Sequence, residues 1–309
     1  MVVTFWGVRG SIPTPGPATC RYGGNTPCVT VEDGNTLIVI DCGSGIRVLG
    51  NSLLQRFNGN PVHAHILISH THWDHIQGFP FFIPAFIPSN TFTIYGGEGV
   101  NHQIEDTLAG QMESPYFPVT LKEMAATLQF RHIDQPDFSI DHLKVKTCFL
   151  NHPGVSLGYK ISSPDGSVVY FSDHEPYSRL MATPSRFKIA VENGLSEEEN
   201  LRFAQERDAE YTRFCEGVDL LIEDSPYTPE EYKNRAGWGH ACIDDVVAMA
   251  VAARVKQLAL FHHDPSNSDE QMDGIVALCQ TRLIPDDSNL TCFAAQEGQR
   301  VVVPAETEK

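Results

Sequence analysis

The stretch Ser69-His70-Thr71-His72-Trp73-Asp74-His75 constrains this chain more than any other. It packs three imidazoles and a carboxylate into six positions, directly after the apolar run Ile66-Leu67-Ile68. A run this short and β-branched reads as a buried strand. His70 then stands at the strand's end, and alternation along extended backbone points His70 and His72 the same way. Asp74 and His75 follow the bend, where the chain turns into a helix or loop near Gly78. One segment thereby offers two groups of metal ligands, His70 with His72 and Asp74 with His75. The spacing predicts two metals held close together.

Composition narrows the setting. With 309 residues, 41% of them hydrophobic, the chain has ample material for a buried core. No apolar run approaches the roughly 20 residues that span a bilayer. The opening Met1-Val2-Val3-Thr4-Phe5-Trp6 reads as a first strand rather than a signal peptide, so cytoplasmic residence is expected, away from membranes. The eight cysteines are scattered without a C-x-x-C pair and read as reduced thiols. A metal site must then be built from histidine and carboxylate. Net charge is −17, and no lysine- or arginine-rich run appears. Such a surface repels long polyanions. Long nucleic acid is therefore not expected as a partner, whereas a small phosphodiester held by metal is.

The rest of the chain repeats one arrangement. Residues 3–8 suggest a strand broken by Gly7-Val8-Arg9-Gly10, and Tyr22-Gly23-Gly24-Asn25-Thr26 is a second glycine turn. Arg9 and Asn25 are candidate substrate-binding residues, although a solvated arginine in an ordinary turn fits equally well. Asp33-Gly34 is a hairpin dipeptide, and the returning strand, Thr36–Ile40, ends in Asp41. Asp41 suits a turn or helix cap, or a carboxylate that orients a ligand histidine; spacing alone does not choose. Strands are expected at 143–150, 156–162 and 167–172, followed by His152 and Asp173 at two of their ends. Another, 218–222, ends in Glu223-Asp224, and 257–261 ends in His262-His263. His240 precedes a helix expected from 243 to about 255. A sheet collects its strand ends on one rim, which gives these single residues their value. The proline-rich 79–88 loop, too apolar to be bare, either walls a pocket, packs the core or forms a homodimer interface. A polar insertion is expected at about 175–217, with a helix from 197 that opens on the capping box Ser196-Glu197-Glu198-Glu199. The polar tail begins at Pro304. No repeat or linker interrupts the sequence, so one domain is expected.

Asp41, His70, His72, Asp74, His75, His152, Asp173 and His262, in this order, resemble the strand-end ligands of the metallo-β-lactamase superfamily. With Asp74-His75, His240 and His262, the chain looks like that family's ribonuclease Z and cyclic phosphodiesterase branch. The resemblance implies an α/β fold, a four-layer αββα sandwich of two mixed β-sheets. It implies His70, His72 and His152 on one metal, Asp74, His75 and His262 on the other, and Asp173 bridging. His263 is an alternative to His262, and Asp41 would support the first set. Ribonuclease Z carries a basic tRNA-clamping arm that this sequence lacks.

Such ligands suit Zn and tolerate Mn or Fe. Two ions about 3.5–4 Å apart would activate a shared water for in-line attack on phosphorus. Asp74 and His240 are the candidate catalytic residues, His240 as hydrogen-bond donor to the phosphoryl group or as general acid. The expected activity is hydrolysis of a small cyclic nucleotide or related phosphodiester. The rivals are hydrolysis of a lactone, thioester or β-lactam, and di-iron redox chemistry on the same fold. The redox relatives usually carry a flavin domain and often a glutamate where His72 stands. A metal-binding module without turnover is a further rival.

Overall fold

Runs of Val, Ile and Phe near the N-terminus form an antiparallel meander, Val2–Gly7 (β1), Cys28–Asp33 (β2) and Thr36–Ile40 (β3). The β2–β3 turn closes at Gly34, whose φ of 56° is left-handed. His63–Leu67 (β4), Thr91–Gly96 (β5) and Thr127–His132 (β6) then add in parallel, and Arg300–Val302 (β14) pairs antiparallel with β1. This sheet runs β14-β1-β2-β3-β4-β5-β6. The structure, a computed structural model, describes residues 1–97, 103–183 and 196–303.

The second sheet begins as a meander of Asp137–Ile140 (β7), Leu143–Phe149 (β8), Leu157–Ser163 (β9) and Gly166–Phe171 (β10). It continues in parallel through Leu220–Asp224 (β11), Gln257–Phe261 (β12) and Thr291–Ala294 (β13). Both sheets are mixed.

The sheets face each other across Val3, Phe5, Val31, Ile38 and Ile40 on one side and Tyr159, Ile161, Tyr170 and Ile222 on the other. Strand alternation sends Leu37 and Val39 outward, where Gly45–Phe57 (α1) covers them with Ile46, Leu49 and Leu53. On the far face, Val169, Leu221 and Leu258 lie under Val246, Val247 and Ala250 of Ile243–Ala252, here α7. The order of layers is helix, sheet, sheet, helix, the expected αββα sandwich. Burial on both faces explains why β3 reads as an unbroken apolar run.

Between these lie Trp73–Ile76 (α2), Ile104–Gly110 (α3), Tyr177–Met181 (α4), Glu197–Phe214 (α5) and Pro229–Tyr232 (α6), with Asp269–Leu278 (α8) near the end. The capping box at Ser196 starts α5 as expected. Asp208 of α5 accepts the Tyr177 and Ser178 N–H groups at 2.8 and 2.9 Å, so α4 and α5 are tied together. Residues 184–195 of the expected insertion, and the tail from Pro304, lie outside the described residues. The 79–88 loop forms two short 3₁₀ turns that bury Phe79, Phe82 and Ala85 and leave Phe81 and Ile83 half exposed. Among the described residues no helix is long and apolar enough to cross a membrane.

The strand ends converge on one rim. Asp41 follows β3, the histidine motif follows β4, and Asp173, Asp224 and His262 end or follow β10, β11 and β12. Asp41, Asp173 and His262 adopt φ values of 62°, 59° and 55°. Left-handed backbone at a non-glycine residue costs about 1–2 kcal/mol. Three such turns at three strand ends mark a place where side-chain direction outweighs backbone comfort.

Candidate metal centre

Seven side chains from four segments meet on this rim. His70, His72, His152 and Asp173 bring their ligand atoms within 4.8 Å of one another, and so do Asp74, His75 and His262. Asp173 lies between the two sets. Its Oδ2 is 3.4 Å from His70 Nε2 and 3.7 Å from His152 Nε2. Its Oδ1 is 3.2 Å from both His75 Nε2 and His262 Nε2. Asp74 Oδ2 completes the second set, 3.1 Å from His262 Nε2 and 3.4 Å from His75 Nε2.

Hydrogen bonds on the outer nitrogens fix which ring atom faces inward. His75 Nδ1 is 2.8 Å from Asp41 Oδ2, and an ionised carboxylate only accepts, so Nδ1 carries the proton. His152 Nδ1 is 2.9 Å from the Gly239 carbonyl, which likewise forces the proton onto Nδ1. Ser69 gives its hydroxyl proton to Asp41 and so accepts from His70 Nδ1 at 3.1 Å. In the neutral form of all three rings Nε2 is the lone pair. Those of His70 and His75 are buried and have no hydrogen-bond partner. Unpartnered buried nitrogens beside ionised carboxylates are costly on their own. They fit a divalent cation, which takes nitrogen and oxygen donors together.

The charges agree. Burial opposes ionisation of Asp74 and Asp173, but the surrounding imidazoles outweigh it and hold both well below the usual carboxylate range. Burial keeps His152 neutral, with its pKa lowered to about 3, and lowers that of His72 too. Neutral imidazole and ionised carboxylate are the forms that bind metal.

Several expectations need correction. Asp41 was expected to support the first set; it bonds His75 of the second directly and reaches His70 only through Ser69. Tyr170 donates to the same carboxylate at 2.7 Å. Arg9, a candidate for substrate, is fully buried, and its guanidinium is committed to the carbonyls of Gly23, Asp264 and Asn267. It clamps loops together. Asn25 donates its backbone N–H and its amide to Glu297 and accepts from Ser44, so it too fastens a loop. His263 donates to the Ala295 carbonyl at 2.8 Å, away from the centre, which leaves His262 as the inward-facing residue.

His240 reaches the centre from the loop before α7. Its ring stacks on His262 at 5.0 Å and lies 5.5 Å from that of His152. Its Nδ1 is 3.0 Å from Asp224 Oδ2. Burial opposes its charge, but Asp224, Asp173 and Asp74 prevail and raise its pKa to about 9. The sequence marks Asp224 only as a strand end and gives it no role, although it stands as Asp41 and Asp173 do. Nor does it give a role to Glu175, which accepts from Tyr232, Gly237 and Gly239 and so pins the loop that carries His240. Gly239 has a φ of 86°, and a Cβ there would lie 2.2 Å from His152 Nδ1. Only glycine lets that loop close on the ligand ring.

Residues 36–263 match the family model described as the beta-lactamase superfamily domain. Ribonuclease Z of Staphylococcus carnosus is 25% identical over 311 residues, covering 91% of this chain and 94% of its own. Among solved structures, unliganded yeast PDE1 superposes with a TM-score of 0.63 at 16% identity, over 98% of this chain and 99% of that one. The short form of human tRNase Z gives 0.60 at 17%, over 98% and 100%. Full-length similarity to proteins named as ribonucleases overturns the expectation that long nucleic acid is excluded as a partner. Net charge sums the whole surface, whereas phosphate is gripped locally. The αββα sandwich, the rim of histidine and aspartate and the match over residues 36–263 make this chain a member of the metallo-β-lactamase superfamily, a metal-dependent hydrolase on its ribonuclease Z side.

Proposed function

We propose that the protein hydrolyses a nucleotide phosphodiester with two divalent cations, zinc first and manganese or iron as alternatives. One observation carries this reading: the two oxygens of Asp173 turn to different histidine sets. His70, His72 and His152 would hold one cation and Asp74, His75 and His262 the other, with Asp173 shared. Bound there, the cations would supply Lewis acidity, charge neutralisation at the phosphoryl oxygens and an activated nucleophile near neutral pH.

The chain's own residues do the rest. Asp41, Ser69 and the Gly239 carbonyl hold the ligand imidazoles in one tautomer and orientation. Asp224 holds His240 by Nδ1, which leaves Nε2 to donate to a phosphoryl oxygen or to protonate the leaving oxygen. The relatives named ribonuclease Z and PDE support a phosphodiester over other esters.

The test is turnover by metal-quantified protein of bis-p-nitrophenyl phosphate, a lactone and a thioester. The proposal expects phosphodiester turnover, and Asp173→Ala should abolish it together with bound metal. Turnover confined to the other esters, or untouched by Asp173→Ala, would overturn it. Cyclic mononucleotides, cyclic dinucleotides and short RNA then sort the substrate by size.

A further inference from the structure

Two of the chain's three tryptophans neighbour residues of the metal centre along the chain, Trp73 between His72 and Asp74 and Trp238 two positions before His240. Trp73 is 72% exposed and Trp238 is 59% exposed. Trp73 follows His72, whose Nδ1 lies 3.0 Å from His152 Nε2. His152 donates in turn to Gly239, the residue after Trp238. The two indoles therefore hang from backbones joined through a single imidazole. Neither makes a hydrogen bond or ring contact among the described residues. Trp6, by contrast, is half-buried and donates to Thr30 at 3.0 Å. Ile12, 58% exposed, adds an apolar group beside Ser11, whose N–H donates to Asp74 Oδ2 at 2.8 Å.

Folding gives no reason for these exposed rings. Burying a large apolar side chain is worth about 1.5–3 kcal/mol, and here that gain is forgone twice. A flat aromatic face beside a phosphate-binding site has one obvious partner, since every nucleobase has a π-face. Stacking also answers the charge problem. A chain of net charge −17 gains little from long-range attraction of polyanions, so affinity must come from short-range contacts.

We propose that Trp73 and Trp238 are specificity-determining residues that stack the nucleobase next to the scissile phosphate. The substrate class is then a phosphodiester with a nucleoside on at least one side. This inference rests on the phosphodiesterase reading above.

The test compares thymidine 5′-p-nitrophenyl phosphate with methyl p-nitrophenyl phosphate, which share a leaving group and differ in the nucleoside. In metal-loaded protein, the ratio of their kcat/KM values should fall roughly 5- to 150-fold in Trp73→Ala or Trp238→Ala, the range that base–aromatic stacking gives. Trp73→Phe and Trp238→Phe, which keep an aromatic face, should recover most of that ratio. Metal content of each variant guards against loss of the centre itself. A ratio that stays within about twofold overturns the proposal, as does a loss that tracks a change of oligomeric state by light scattering. A second readout needs no turnover: thymidine 5′-monophosphate should quench indole emission saturably, and ribose 5-phosphate should not. If the protein cleaved neither ester, the phosphodiesterase reading would fall, and equal quenching by the two phosphates would still sink the stacking assignment separately.

Discussion

Asp41 accepts the Nδ1 proton of His75 at 2.8 Å, with both side chains wholly shielded from solvent. The same carboxylate takes two bonds from Ser69 and one from Tyr170. It is the buried anchor that aims His75 directly and His70 through Ser69. Asp41→Asn removes the anionic acceptor while keeping the volume. Zinc affinity, measured by competition with a chromophoric chelator, should fall roughly 10- to 100-fold, the usual cost of losing such an orienting partner. An affinity equal to wild type would show that His75 needs no carboxylate to hold its ring.

His240 and Asp224 form the second oriented pair. His240→Ala should keep the bound metal and lower phosphodiesterase kcat by about 10²–10⁴-fold, the scale of a general acid. Asp224→Asn should lower kcat in the same direction, because it withdraws the acceptor that aims Nε2. Metal loss in His240→Ala would make His240 a ligand instead, and unchanged turnover would remove it from the chemistry.

Glu223 offers a test of the fold away from the metals. It is 1% exposed on β11, and its Oε2 has no hydrogen-bond donor. Burial, with Asp224 and Asp245 nearby, pushes its pKa well above the usual carboxylate value. The sign follows from linkage. In the unfolded chain Glu223 ionises above about pH 4.3, whereas in the folded chain it stays protonated to higher pH. Its contribution to stability is therefore whole at low pH and is lost as pH rises toward the folded pKa. Glu223→Gln cannot ionise. The Tm of metal-free Glu223→Gln relative to wild type should rise steadily from about pH 5 to pH 8. A difference that does not change with pH would contradict the assignment.

Legibility in the sequence followed covalent distance. His70, His72, Asp74 and His75 were readable because one short segment carries them all. His152, Asp173 and His262 are readable because each follows a strand, and a sheet delivers the ends of strands that run the same way to one rim. Asp41 was recognised as a strand-end acid but matched to the wrong set, since no pattern along the chain says which neighbouring loop will cross over it. In Glu223-Asp224, adjacent acids at a strand end face opposite sides, and the run of apolar residues before them does not say which faces the rim. Arg9 and Asn25 sit in glycine turns whose composition is the same whether they greet a ligand or clamp loops. The charge sum misled most: it speaks for the whole surface and is silent about a pocket that cations would line.

The two-site account turns on Asp173. Crystals grown with zinc and measured above and below its absorption edge report ions directly. The account predicts two anomalous peaks, one beside His70, His72 and His152 and one beside Asp74, His75 and His262, with an Asp173 oxygen at each. A single peak, or none within reach of Asp173, would contradict it.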